Sequence, residues 1–140
     1  MDKNKPPGIS FDDVILSELT FSRKEALSSK LPLDMKLNSK ISFSQKEEKL
    51  AYELSCQIRD VEDCFNIRCT MVGLFSIIKG QENMGLEEYS KLSAPAAIFP
   101  YIRETIAATT LKAGIPPVII PPANLSLLKQ AGSKSTSSDS

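Results

Sequence analysis

Apolar and polar residues alternate with period two through most of the first half of this chain. Met35, Leu37, Ile41 and Phe43 alternate with Lys36, Asn38, Lys40 and Ser42. Leu50, Tyr52, Leu54, Cys56 and Ile58 alternate with Ala51, Glu53, Ser55, Gln57 and Arg59, and Phe65, Ile67, Cys69 and Met71 with Asn66, Arg68 and Thr70. Successive side chains of a strand point to opposite faces, so each run predicts a strand with one buried and one wet face. An earlier segment, about 9–21, is less regular. Ile15, Leu19 and Phe21 fall in one phase, while Val14 and Leu16 share the other with Glu18 and Thr20. Short polar connections at 44–47 and 61–63 predict sequential antiparallel pairing, and the link at 23–32 is longer. Four strands with one apolar face need cover from helices or from another subunit.

The period changes after Gly80 and Gly85. Residues 86–92 predict a short helix ended by Ser93-Ala94-Pro95, and a longer helix follows at about 96–113 with Pro100 in its first turn. Ile98, Ile102, Ile106 and Thr109 form a helical stripe, with Ala107, Ala108 and Ala113 as small residues that permit close helix approach. Gly114 stands where the helix stops, and Pro116 prevents continuation. Leu125, Leu127 and Leu128 predict a last short helix. The fold class is therefore α+β: a four-stranded antiparallel β-meander with a long helix and a short C-terminal helix packed on one side. Residues 1–8 read as a disordered tail, 9–130 as one domain and the Ser-rich 131–140 as a second disordered tail.

Between the helices lies an apolar run that cannot be an interior strand. Pro116, Pro117, Pro121 and Pro122 remove backbone donors, yet Val118 and Ile120 are strand formers. A stiff, greasy arm of this kind loses little entropy on docking and can wall a groove. Aromatic residues at element junctions (Phe43, Phe65, Phe75, Phe99 and Tyr101) could line the other side, giving a cleft suited to extended apolar peptides.

Charge and composition narrow the chemistry. The 140 residues carry 17 basic and 17 acidic side chains, so no electrostatic footprint for nucleic acid is present. No apolar run reaches the ~20 residues of a membrane span, and the polar N-terminus lacks a secretory core, which predicts a cytoplasmic chain. There is no histidine, which excludes Ser–His and Cys–His nucleophiles and histidine metal ligands. Cys56, Cys64 and Cys69 form no C-x-x-C pair, and Cys56 and Cys69 fall in phase with buried apolar residues. Asp12-Asp13 and Glu47-Glu48 are neighbours that point to opposite faces, not acid/base dyads. No phosphate-cradling glycine motif occurs. Neither an enzyme nor a cofactor or metal is expected.

Three motifs, in order and in register, resemble the SecB family of bacterial export chaperones. They are Gly73-Leu74-Phe75-Ser76-Ile77, then Phe99-Pro100-Tyr101-x-Arg103-Glu104, then Pro116-x-Val118-x-Ile120-x-Pro122-x-Asn124-Leu125. The resemblance implies an ATP-independent holdase that binds non-native polypeptides, either preproteins for export or, in toxin–antitoxin systems, one antitoxin. It implies a homotetramer built as a dimer of dimers with the long helices at its centre. By motif position Met35, Leu37, Phe65, Tyr101, Val118, Ile120 and Leu125 would line the groove, and Ile102, Ile106, Ala107 and Ala108 would contact other subunits. Family members that dock on the SecA motor present carboxylates on the outer sheet face. Here Asn66, Arg68 and Ser22 stand there and only Glu18 keeps its charge, which argues against that docking. A scaffold whose sheet binds one folded partner is the alternative from another class.

Overall fold

The computed structural model describes residues 4–24, 33–44, 46–60, 64–115, 117–120 and 133–134. Four long strands form its sheet: β1 (Ile9–Arg23), β2 (Leu33–Ser44), β3 (Lys49–Asp60) and β4 (Phe65–Ile77). They are followed by α1 (Leu86–Lys112) and a two-residue strand, β5 (Ser133–Lys134). The four-stranded antiparallel sheet with a long helix is thus present as the alternation predicts. The expected C-terminal helix at 125–128 lies outside the described residues.

The sheet order is β1-β4-β3-β2-β5. β2, β3 and β4 pair sequentially as a meander, whereas β1 pairs with β4 and not with β2. Hairpin-length connections hold the last three strands in sequence. The longer link after β1 lets the chain re-enter the sheet three positions away. Polar groups close both hairpins. Ser44 Oγ accepts from the Glu47 N–H at 3.3 Å, and the Asp60 carboxylate accepts from the Cys64 and Phe65 amides.

Helix α1 runs unbroken through Pro95 and Pro100, so the expected stop near 93–95 does not occur. Each interior proline costs about 3 kcal/mol through a lost hydrogen bond and a ring clash. Burial outweighs that cost here: Ala94, Pro95, Ile98, Phe99, Ile102 and Ile106 all press on the sheet. The floor under Ile98 is Gly73. A Cβ added there would lie 2.6 Å from the Ile98 Cδ1, so the bare backbone is what seats the helix. At the far end Gly114 takes φ +77°, the left-handed conformation that ends helices. The Arg23 guanidinium donates to the Ala113 carbonyl, placing a cation at the negative helix terminus.

Residues 5–8, read from sequence as part of a free tail, are tied to the loop before α1. The Asn83 amide donates to the Lys5 and Pro6 carbonyls, the Met84 N–H to Pro7, and the Ile78 N–H to Gly8. In the other tail, Ser133 and Lys134 run parallel to β2 beside Lys40 and Ile41.

Candidate functional site

Cross-strand register sorts the side chains into two faces, because directly opposed residues point the same way. The helix-facing layer is built in rows. Phe11, Phe75, Leu50 and Phe43 form one, and Leu19, Cys69, Cys56 and Leu37 another. Two bulges in β1, between Phe11 and Asp13 and between Leu16 and Glu18, shift its phase twice. Val14, Leu16, Leu19 and Phe21 consequently all face the helix side, and Ile15, Glu18 and Thr20 face outward. This corrects the grouping read from strict alternation. An unpaired bulge residue resets the two-residue period, and sequence reasoning therefore missed Leu16 and Leu19 as surface apolar groups.

Helix α1 packs chiefly over β4 and β3 and touches β1 over a short stretch. Leu16 and Leu19 are left 47% and 39% exposed, although they face the covered side. The helix flank that meets β1 carries Tyr101, with Thr105 and Thr109 one and two turns on. Tyr101 meets the Phe11 ring edge-on at 5.9 Å, Phe11 stacks on Phe75 at 4.8 Å, and Phe75 meets Tyr89 at 5.4 Å. Tyr101 is the outer end of this chain of rings and is 45% exposed.

The arm folds back on the helix that precedes it. The Val118 N–H donates to Thr110 Oγ1 at 3.0 Å, and that hydroxyl donates in turn to the Ile106 carbonyl. Ile115 and Ile120 are buried, Val118 is half-buried and Ile119 is 64% exposed. The described part of the arm is therefore anchored at both ends with an apolar side chain held outward.

The residues expected to line a groove fall into two sets. Tyr101 is exposed, and Met35 and Val118 are half-buried, so these three present surface. Leu37, Phe65 and Ile120 are buried in the core, and Leu125 lies outside the described residues. Of the four expected subunit contacts, Ile102 and Ile106 are wholly buried against the sheet and have no surface to offer. Ala107 and Ala108 are half-buried, with Leu92 and Leu111 each 62% exposed toward the helix ends. A cavity of about 330 Å³ opens at the β2–β3 hairpin beside Leu50; Phe43 and Phe75 of the junction aromatics line it, whereas none of the seven residues placed in the groove by motif position does.

These elements coincide with a known family. The model for preprotein translocase subunit SecB matches residues 8–135, which take in the sheet, the helix and the arm. The chain belongs to the SecB family. The protein-export protein SecB of Rickettsia peacockii is 29% identical over 140 aligned residues, covering 91% of this chain and 90% of that protein. The one from Nitrosomonas eutropha is 37% identical over 68 residues, covering 47% and 41%. Among solved structures, the Mycobacterium tuberculosis Rv1957 SecB-like chaperone, in complex with a ChAD peptide from the Rv1956 HigA1 antitoxin, shares the fold. It matches at a TM-score of 0.67 and 21% identity, covering 81% of this chain and 86% of that one.

The outer sheet face of this SecB chain is charge-paired. Arg68 meets Glu18 at 3.1 Å and Arg59 meets Asp34 at 3.6 Å, all about half exposed. Beneath them Ser55 and Thr70 share a buried 2.6 Å hydrogen bond. Cys56 and Cys69 stand directly opposite each other in the core, and burial pushes their thiols up to about 12 and about 11. Neutral, fully covered thiols are inert. Among the described residues no group of three or more carboxylates and thiols is placed to hold a metal ion. Among the described residues no helix is long and apolar enough to cross a membrane.

Proposed function

We propose that this chain is an ATP-independent, cytoplasmic holdase that keeps non-native polypeptides soluble by binding their apolar segments. The observation that carries this reading is the arm. Ile115, Ile120 and the Val118 amide fix it in place, yet Ile119 is held toward solvent, which is the behaviour of a wall and not of a seal. Tyr101, Val118 and Met35 are the proposed client contacts, with Leu37, Phe65 and Ile120 as packed support in the core and Leu125 continuing the arm. Contact with a client would rest on apolar burial at ~25 cal/mol per Å², without geometric selection for one sequence.

The working particle is proposed to be a homotetramer, a dimer of dimers. β1 ends the sheet over 15 residues, with no strand beyond it among those described. An antiparallel β1–β1 contact would be isologous, would satisfy both edges and would cover Leu16 and Leu19. Ala107, Ala108 and Leu111 on the outward helix face would join the two dimers.

Tyr101→Asp and Val118→Asp test the client assignment. Each should weaken suppression of aggregation of a denatured substrate by about 5–30-fold in effective affinity, the equivalent of one to two kcal/mol. Tetramer mass should be unchanged. Full activity in both variants would refute the assignment. A narrower reading, service to a single antitoxin, is favoured by the pairing of Glu18 and Asp34 with arginines, which reduces the free acidity of the outer face to residues such as Asp13 and Glu53 and weakens its attraction for a basic motor such as SecA. Proteins co-purifying from the native cell separate the two: many preproteins, or one small antitoxin. A protein scaffold would suppress no aggregation at all.

A further inference from the structure

The second edge of the sheet is occupied by the chain's own tail. Ser133 and Lys134 extend β2 as a parallel strand opposite Lys40 and Ile41, whereas every other pair in the sheet is antiparallel. Among the described residues the pairing is two residues long. The sequence around it, Gly132-Ser133-Lys134-Ser135-Thr136-Ser137-Ser138, has no apolar side chain to lay against the core. A strand of that composition can gain backbone pairing but little apolar burial. The ordering entropy of the tail opposes that gain, so the contact is readily exchanged.

We propose that the C-terminal tail is a weak internal competitor for the β2 edge, occupying it until an extended segment of a non-native polypeptide displaces it. The proposal rests on the holdase reading above and names a regulation of that function. β2 carries half-buried Met35 and Phe43 on the helix-facing side of the sheet. An incoming strand with apolar residues at alternate positions could form the same ladder and also bury its side chains beside these two. The tail can do only the first. Clients with alternating apolar residues would therefore win, and polar chains would not. In the resting particle the tail keeps an otherwise adhesive edge from pairing with other edges.

The test compares the full chain, a chain ending at Gln130, and the full chain carrying Ser133→Pro and Lys134→Pro, which removes both backbone donors. The probe is a reduced, alkylated and permanently unfolded small protein bearing a fluorophore. If the tail blocks the edge for between half and nine-tenths of the time, both altered chains should bind about two- to tenfold more tightly than the full chain. Amide hydrogen exchange around Lys40 and Ile41, measured without any client, should be faster in both. Equal affinities in all three chains would overturn the competition, and equal exchange rates would overturn the tail's hold on the edge. Failure of every form to bind would sink the holdase reading together with the competition. The exchange rates alone would still decide whether the tail caps β2.

Discussion

Replacing Leu16 and Leu19 by asparagine should dissociate the proposed β1–β1 dimer while sparing the fold. Full burial of a leucine is worth about 1.5–3 kcal/mol. With 47% and 39% of these side chains still open in the single chain, about 0.6–1.4 kcal/mol per leucine remains to be gained on assembly. An isologous contact counts each residue twice, so the double variant should lose about 2.5–5 kcal/mol of dimer affinity. That corresponds to roughly two to four orders of magnitude in dimer Kd. Sedimentation equilibrium over a wide concentration range would measure it. The unfolding slope in denaturant should stay that of a folded sheet, because the buried share of both residues belongs to the chain itself. Leu111→Asn, on the outward face of α1, provides the contrast and should halve the particle without splitting the dimer. A Leu16→Asn/Leu19→Asn protein with the parental dimer Kd would refute the edge-pairing argument outright.

Other outcomes follow from the packing of α1 and the arm. Gly73→Ala puts a Cβ at 2.6 Å from Ile98 Cδ1 and should cost about 1–3 kcal/mol in chemical denaturation. Ile98→Ala in the same chain should recover part of this, and strict additivity of the two changes would show that the helix does not rest on Gly73. Thr110→Val leaves the Val118 N–H without its partner, at about 1–3 kcal/mol, and should speed amide exchange along 115–120 and weaken client binding; an arm with unchanged protection would exclude the hydroxyl as its anchor. For the thiols, burial raises both values above the ordinary one near 9, so the unfolded chain loses these protons first and stability should fall as pH climbs from about 9 toward 11 and 12. In the native state at pH 8 an alkylating reagent should modify half-buried Cys64 and spare Cys56 and Cys69, and rapid reaction of all three would contradict their packing.

The strands were legible because each of β2, β3 and β4 keeps one phase from end to end. β1 was only half legible. Its two bulges cannot be seen in a strictly alternating reading, and the partner of an edge strand depends on a connection whose path no local pattern encodes. The prolines misled in the opposite sense. Pro95 reads as a helix stop, yet it is among the most fully buried residues of α1, because the apolar residues on either side of it are worth more against the sheet than the lost hydrogen bond costs. At the site, the motif placed Tyr101 among the residues expected to line a groove, and its ring is 45% exposed. Ile102 and Ile106 show the limit of such reading. A helical stripe says that a face is covered, but not whether the cover is the chain's own sheet or another subunit.

That last ambiguity also bears on the proposed assembly and on the proposed binding of a client. Among the chain's exposed large apolar groups, which also include Ile15, Leu33 and Tyr101, several fall on three separate sides: Leu16 and Leu19 along β1, Leu111 on the outward face of α1, and Ile119 on the arm. No single convex partner can reach all three. The two flat patches lie on regular elements whose backbone or stripe geometry suits a symmetric copy, since a strand edge and a helix face are each self-complementary under a two-fold axis. The arm is neither. Its prolines prevent it from offering a continuous ladder, and its one outward isoleucine is too small a surface for a stable folded interface. What can use it is a chain in extended form, taking a little apolar area here and more at Tyr101 and Met35, and letting go of each in turn.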